Sequence, residues 1–288
     1  MSKLRVILLT HGGAEEVLSR LCALPGAEVV GLFVETESAG PPRRGLREKL
    51  ARSVRYDGYA GTAAKFARKF LRRGDSAGET FAHVRDGHAR LRELAEKLGV
   101  PAHFVANFHA EQSLELMRAA RADLGVVYGT NILKESVFKI PRLGSINLHQ
   151  GLAPLYRGGP PVFWELYNGE PEVGLTVHFV ETKVDTGDIV LQERVPLEYD
   201  FARYRLDFES FIADFRASIH ARCAQIVADA VQLIAEGAAE RRAQDTTQGR
   251  RYRLPVKGEK DELRRRLRER ARESGRSHAH AAREAEGR

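Results

Sequence analysis

Cysteine is scarce in this sequence of 288 residues, which contains only Cys22 and Cys223. Two cysteines so far apart show neither the close paired spacing of a thiolate metal site nor the density of a disulfide-stapled secreted domain. We therefore predict two reduced structural thiols, no bound metal and a cytoplasmic location.

Long hydrophobic runs are also missing. The first nine residues are basic and then apolar, but Thr10 and His11 interrupt this run before the apolar core of a signal peptide could form. No apolar run approaches the roughly 20 residues that a membrane-spanning helix needs. We predict no signal peptide and no membrane partner. With 43% apolar residues, the chain is expected to fold around one large core or two modest ones.

An excess of positive charge is confined to two segments. Residues 250–288 hold 14 Lys/Arg and 7 Asp/Glu, which leaves residues 1–249 with 32 of each sign. Within that balanced body, residues 41–75 hold 11 basic and 3 acidic residues and interrupt the apolar pattern, so we predict a basic insertion with partial helix. The balance argues against a general nucleic-acid partner, although a tRNA stays open. The sequence does not determine the oligomeric state.

Strand-like and helix-like segments alternate along most of the chain. Buried strands are predicted at Leu4–Leu9 and Ala27–Glu35, on either side of a helix at Ala14–Leu24. Further strands are predicted at Ala102–Val105, Leu124–Tyr128, Gly144–His149, Gly174–Val180 and Ile189–Val195, and further helices at Asp86–Leu98, Gln112–Ala122, Lys134–Lys139, Pro160–Tyr167 and Phe208–Ala235. This order predicts an α/β fold with a doubly wound, mostly parallel sheet and an antiparallel strand pair near its C-terminal end.

The C-terminal part has a different pattern. Gln244–Pro255 is predicted to be an extended linker, and the Arg-rich remainder from Lys257 a solvated helix that frays beyond Gly275. The spacing of Leu263, Leu267 and Ala271 gives one thin apolar stripe, which is consistent with docking on the body or on a partner. We therefore divide the chain into a catalytic domain at 1–242 and a linker with a basic tail at 243–288.

Two polar residues stand where the strand Gly144–His149 ends, in the stretch INLHQGLAPLYRGG. Because side chains alternate along a strand, Asn147 and His149 point to the same side. In parallel sheets, ligands bind beyond the carboxyl ends of strands. An isolated Asn-x-His is most often a turn former beside a core histidine, and only the surrounding sequence favours a site.

That surrounding sequence resembles the folate-dependent formyltransferases, the family of glycinamide ribonucleotide formyltransferase and of the catalytic domain of methionyl-tRNA formyltransferase. The similarity lies in VVYGTNILKESVF, GSINLHQGLAPLYRGGPP, NGEPEVGLTVHFVE and VDTGDIVLQERVPL, which follow one another between residues 124 and 197. It implies a Rossmann-like domain that uses N10-formyltetrahydrofolate as a co-substrate. It also implies a catalytic set of Asn147, His149 and Asp185, with His178 in at most an indirect role.

The resemblance implies where the folate binds as well. Its loops are Tyr128–Leu133 and Thr182–Asp188, and the residues that we predict to hold the pterin are Asn131, Ile132, Leu133, Thr182, Val184 and Gly187. In the family, backbone groups of both loops hold the pterin. The neighbouring Phe163 and Trp164 are predicted to be core residues of a short helix.

The sequence also departs from the family pattern. In the Ser-Leu-Leu-Pro segment, Gly151 replaces the serine and Ala153 replaces a leucine, which removes a hydroxyl and some bulk beside the site. The first strand ends in LLTHGGAEE, which matches neither the Gly-rich phosphate loop of the glycinamide enzymes nor the Gly-Thr-Pro turn of the tRNA enzymes. These differences concern the acceptor more than the chemistry.

Formyl transfer to an amine passes through a tetrahedral carbon that bears an oxyanion, and fixed hydrogen-bond donors stabilise that charge best. The side-chain amide of Asn147 can donate a hydrogen bond to the oxyanion but cannot act as a base, whereas His149 can donate either a proton or a hydrogen bond. We expect the Asp185 carboxylate to raise the pKa of His149, to hold its ring and to relay the amine proton through water.

The expected acceptor is a primary amine, and an anionic one because the basic insertion follows the second strand at the carboxyl edge of the sheet. The residues predicted to contact it are Arg52, Arg55, Tyr56 and Tyr59. Three alternatives stay open. They are a methionyl-tRNA formyltransferase-like enzyme without a C-terminal barrel, a formyltetrahydrofolate hydrolase, for which no regulatory domain precedes Leu4, and a non-catalytic folate-binding protein.

Overall fold

The computed structural model describes residues 2–37, 50, 53–56, 58–59 and 76–286. Within these ranges, nine strands occur in chain order: β1 (Leu4–Thr10), β2 (Ala27–Glu35), β3 (Ala102–Val105), β4 (Leu124–Tyr128), β5 (Ser145–His149), β6 (Tyr156–Gly158), β7 (Glu172–Phe179), β8 (Ile189–Pro196) and β9 (Arg250–Tyr252). The helices of the same ranges are α1 (Glu15–Ala23), α2 (Ser76–Lys97), α3 (Glu111–Ala119), α4 (Glu135–Phe138), α5 (Phe163–Asn168), α6 (Phe201–Tyr204), α7 (Phe208–Ser218), α8 (His220–Ala235) and α9 (Lys257–Glu286).

Seven strands form the main sheet, in the order β3-β2-β1-β4-β5-β7-β8. All pairs from β3 to β5 are parallel, and β7 pairs antiparallel with both β5 and β8. The chain order reverses between β1 and β4, which is where an open α/β sheet offers a crevice at its carboxyl edge. The predicted fold class, including the antiparallel strand pair, is therefore confirmed.

Alternation along β1 divides the core between the two faces of the sheet. Val6 and Leu8 pack on one face with α1 and α8. Ile7 and Leu9 pack on the other face with α3 and α4. Because both faces are covered by helices, β1 is apolar at every central position, as expected for a buried parallel strand.

The predicted helix at Phe208–Ala235 is wrong in one respect, because the chain forms two helices with Ile219 between them. Asp207 caps the first of them by accepting a hydrogen bond from the Ser210 amide. At its other end, the Ser218 hydroxyl donates to the Phe215 carbonyl at 2.8 Å. Such a bond competes with the helical ladder, and the apolar spacing continues across the break without showing it.

Two expectations for the C-terminal part are also wrong. The predicted linker contains β9, which pairs in parallel with β6. The tail is not a solvated helix that frays at Gly275, because α9 continues to Glu286 and buries Leu263 and Leu267 completely. These leucines join a third core cluster with α5 and α7. The apolar stripe therefore docks on the body.

Arginines of α9 strengthen this docking. Arg266 and Arg270 donate to the carbonyl oxygens of Tyr167 and Leu166, each at 2.9 Å. These carbonyls belong to the last turn of α5, where backbone acceptors have no partner within the helix. The excess of arginine in the tail thus has a structural use in this position.

Candidate active site

Asn147 and His149 leave the end of β5 on the same side of the sheet. The antiparallel register sets Asn147 opposite His178 and His149 opposite Thr176 on β7. Both side chains line a cavity of about 360 Å³ at the carboxyl edge of β4 and β5. This volume lies within the range of small-molecule sites.

Asp185 reaches the same cavity from the loop between β7 and β8. Its Oδ2 lies 3.4 Å from Nδ1 of His149, and its Oδ1 lies 3.4 Å from Nε2 of His178. The Gly158 amide donates a hydrogen bond of 2.8 Å to Oδ2. Asp185 has a φ of 54°, in the left-handed region that costs most non-glycine residues energy and that aspartate adopts more readily than most.

The tautomer of His149 follows from its partners. Nε2 lies 2.7 Å from the carbonyl oxygen of Tyr156, which can only accept, so this nitrogen carries the proton. In the neutral ring, Nδ1 then presents a lone pair toward Asp185 and the cavity. A proton that arrives on Nδ1 would be held between the ring and a carboxylate, so Nδ1 is a proton acceptor in this arrangement.

Burial lowers the pKa of the His149 imidazole, and the attraction of the Asp185 carboxylate does not offset this effect. The Asp185 carboxylate does raise this pKa, as we expected, but the cost of burying the charged ring is larger, so the pKa of His149 lies below its ordinary value. Burial raises the pKa of the Asp185 carboxyl, but contacts with His178, His149 and the Gly158 amide lower it more, so this pKa lies far below its usual range. The resting site combines a neutral imidazole with an ionised carboxylate.

Gly151 determines where the His149 ring can lie. A Cβ atom at this position would collide with Nε2 of His149 and would lie 2.8 Å from the Tyr156 carbonyl oxygen. The space left by the missing side chain is thus filled by the imidazole. Thr176 fixes the turn by donating its hydroxyl to the Gly151 carbonyl at 2.7 Å.

His178 has a closer role than the sequence indicated. Its Nδ1 donates to the Phe179 carbonyl at 2.8 Å, which directs Nε2 toward Asp185 and toward Nδ2 of Asn147 at 3.5 Å. The side chain lines the cavity and contacts two of the three predicted catalytic residues. His178 lies on β7 opposite Asn147, on the side of the sheet that faces the cavity. In the sequence, only the alternation of side chains along this strand indicated that orientation.

Three apolar residues, Ile132, Leu133 and Val184, line the cavity together with Asn131. Ile132 is 68% exposed, which is unusual for an isoleucine. The other two residues that we predicted for the pterin do not line it. The Thr182 hydroxyl donates to Glu135 at 2.6 Å, and Gly187 packs against the backbone of Phe179.

A second cavity of about 480 Å³ adjoins the first one. It is lined by residues 250–254 of β9 and the chain after it, by Trp164, and by Glu259. Gly158, Gly159 and Arg251 line both cavities. Sequence reasoning missed β9 because three residues carry no usable periodicity. Phe163 and Trp164 pack in the core as predicted, but Trp164 also forms part of this wall.

Three of the four residues predicted to contact the acceptor, Arg55, Tyr56 and Tyr59, line neither of these two cavities. Arg52 lies outside the described residues. Arg55 is exposed, Tyr56 is half-buried and Tyr59 is 83% exposed. The neighbouring Gly58 packs against the Lys257 side chain at the start of α9.

The described part of the chain contains no helix that is both long and apolar enough to cross a membrane. Cys22 and Cys223 are both free thiols.

Comparisons with known proteins find similar sequences and a similar fold. Residues 89–205 match the family model described as formyl transferase. The methionyl-tRNA formyltransferase of Parabacteroides distasonis is 39% identical over 107 residues, which are 37% of this chain and 33% of that protein. The one from Chlorobium phaeovibrioides is 34% identical over 155 residues, 54% of this chain and 46% of that protein. The matches thus span less than half of these relatives' length.

Among solved structures, glycinamide ribonucleotide transformylase 1 from Symbiobacterium toebii has a TM-score of 0.52. It is 21% identical, with 84% of this chain and 93% of that chain covered, so this likeness concerns the fold. The segment that matches the formyl transferase family model contains Asn147, His149 and Asp185.

Proposed function

We propose that this protein transfers a formyl group from N10-formyltetrahydrofolate to a primary amine. The observation that carries this proposal is the convergence of Asn147, His149 and Asp185 on one cavity, within the segment that matches the family. We place the catalytic unit in residues 1–242 and add β9, because β9 holds β6 and the Gly158 amide beside Asp185.

The reaction requires a proton to move. The amine nitrogen bonds to the formyl carbon, and the carbonyl oxygen becomes an oxyanion. The bond from that carbon to N10 of the folate then breaks, N10 gains a proton, and the amine loses one. Asn147 donates to the oxyanion, and its amide cannot ionise, so it provides a fixed dipole. His149 accepts the amine proton at Nδ1, and the nearby Asp185 carboxylate stabilises the resulting imidazolium.

The folate is proposed to lie against the apolar residues of the cavity. Ile132 is exposed there and would be covered by a flat ring, and Val184 lines the same cavity. Asn131 and Leu133 complete this lining. Thr182 and Gly187 support it indirectly, through Glu135 and the Phe179 backbone.

The acceptor is proposed to be an anionic amine of the phosphate-bearing or nucleotide-linked kind, such as glycinamide ribonucleotide or an amino sugar nucleotide. Arginines dominate the second cavity, and Gly58, within the basic segment at 41–75, packs against Lys257, two residues before the cavity residue Glu259. Arg52, Arg55, Tyr56 and Tyr59 stay part of this proposal as residues that meet the acceptor. The named relatives make a charged tRNA the second candidate.

A panel of amines incubated with N10-formyltetrahydrofolate tests the proposal. It should contain glycinamide ribonucleotide, amino sugars, amino sugar nucleotides, amino acids and charged methionyl-tRNA. Tetrahydrofolate release is followed optically and the formylated amine by mass spectrometry. We expect amine-dependent release with one formylated product. Formate production without any amine would identify a hydrolase, and no donor consumption with any amine would contradict the proposal.

A further inference from the structure

The second cavity, which we call the β9 groove, lies beside the catalytic cavity and has a strongly basic wall. Three of the four residues from Arg250 to Arg253 are arginines, and all of them line it. The floor is formed by the rings of Trp164 and Tyr252, whose centroids are 5.1 Å apart. Such a floor keeps water away from one side of any ligand.

Among the described residues, a carboxylate partner is found for one of these arginines. Arg253 makes two hydrogen bonds to the Glu259 carboxylate, at 2.8 and 3.1 Å. In the described part of the chain, neither Arg250 nor Arg251 has an ion pair with a carboxylate. The guanidinium of Arg250 lies 4.5 Å from the centre of the Tyr252 ring, and this contact orients the group without neutralising it.

The groove also connects with the catalytic residues. Arg251 lines both cavities, and its side chain packs against Gly158, where a Cβ atom would lie 3.1 Å from its Cγ. Gly158 has a φ of 65° and donates its amide to Asp185. A ligand held at Arg250 and Arg251 therefore needs only to pass over Gly158 and Gly159 to bring its other end to His149.

We infer that the β9 groove binds a phosphoryl group of the amine acceptor, with Arg250 and Arg251 as its ligands. Arginine presents a planar fork of donors that matches two phosphate oxygens, and charge-assisted hydrogen bonds of this kind are stronger than neutral ones. The amine of the same molecule then points into the catalytic cavity. This inference rests on the proposed formyl transfer, and it assigns acceptor recognition mainly to β9.

Anion binding can be measured without catalysis. Calorimetric titrations use inorganic phosphate, pyrophosphate and uridine diphosphate with the full chain, in parallel with 5-formyltetrahydrofolate. The variants are Arg250→Gln alone and Arg250→Gln combined with Arg251→Gln. The matched control is Arg268→Gln with Arg272→Gln, which removes two exposed charges of α9 that line neither cavity.

We expect each lost arginine to weaken anion binding about tenfold, which corresponds to about 1.4 kcal/mol. Arg250→Gln should leave the affinity for 5-formyltetrahydrofolate unchanged, because Arg250 lines only the β9 groove. The control should retain both affinities. Equal binding of the three anions supports a single phosphoryl contact, and preference for uridine diphosphate supports a nucleotide-linked acceptor.

Two results would overturn the inference: no binding of any of these anions, or equal weakening in the α9 control. The proposed function is judged separately. Formylation that continues without an arginine-dependent anion site would remove the inference and keep the function. An arginine-dependent anion site in a protein that consumes no formyl donor would contradict the proposed function and leave only the anion site.

Discussion

Glu165 gives the sharpest test of the packing around the site. It lies on α5 between the catalytic turn and the third core cluster, and its side chain is only 3% exposed. Burial raises the pKa of its carboxyl to about 7, and the neighbouring Glu170 adds to this rise, although backbone amides of Glu165 and Val162 oppose it. The substitution Glu165→Gln keeps the shape of the side chain and removes the titration.

The sign of the effect follows from the direction of the shift. Below pH 4.5 the carboxyl is protonated in both the folded and unfolded states. As the pH rises, the unfolded chain ionises first, so the folded state loses stability until the pH passes about 7. Because one pKa unit corresponds to about 1.4 kcal/mol, the loss from 4.5 to about 7 amounts to about 3 kcal/mol.

Urea denaturation between pH 4.5 and 8 measures this difference. We expect the stability of Glu165→Gln relative to the wild type to increase by about 3 kcal/mol across this range. Glu115→Gln, an exposed position on α3, is the matched control and should show almost no pH-dependent difference. A constant difference between Glu165→Gln and the wild type at every pH would refute the argument.

Two further substitutions test contacts of the site and the tail. Gly151→Ala places a Cβ atom against His149 and Tyr156. We expect turnover to fall by about two orders of magnitude, as when a general base is displaced. The control is Gly87→Ala, because a Cβ atom at Gly87 meets no atom within 4 Å. Unchanged turnover in Gly151→Ala would show that the ring can shift freely. Leu267→Ala should lower the free energy of unfolding by about 2–5 kcal/mol because this leucine is fully buried. The partly exposed Leu116→Ala should cost less than about 1 kcal/mol, and equal losses would mean that α9 does not dock.

Sequence patterns located the main sheet because its strands are buried. Leu124–Tyr128 is a continuous apolar run, and its predicted bounds are those of β4. The helix break at Ile219 was missed because the apolar spacing does not change there, and the hydroxyl contact of Ser218 beside it leaves no trace in that spacing.

The candidate site was only partly visible. Strand alternation predicted that Asn147 and His149 face the same side of the sheet. This prediction needs only the geometry of an extended backbone, in which every second side chain points the same way. The groove at Arg250 and Arg251 was missed for two reasons. The strand β9 forms by pairing with β6, which is distant in sequence, and the two arginines belong to a stretch that resembled a linker. The direction of the His149 pKa depends on burial, which a sequence does not state.

The central claim is that His149 and Asp185 act together in the chemical step. Single-turnover formyl transfer by Asp185→Asn tests it most directly, with the acceptor that the amine panel identifies and with Asp188→Asn, in the same loop, as the control. We expect Asp185→Asn to bind 5-formyltetrahydrofolate normally and to lose about 10²–10⁴ in the rate of transfer. Near-normal transfer in this variant, or an equal loss in Asp188→Asn, would contradict the claim.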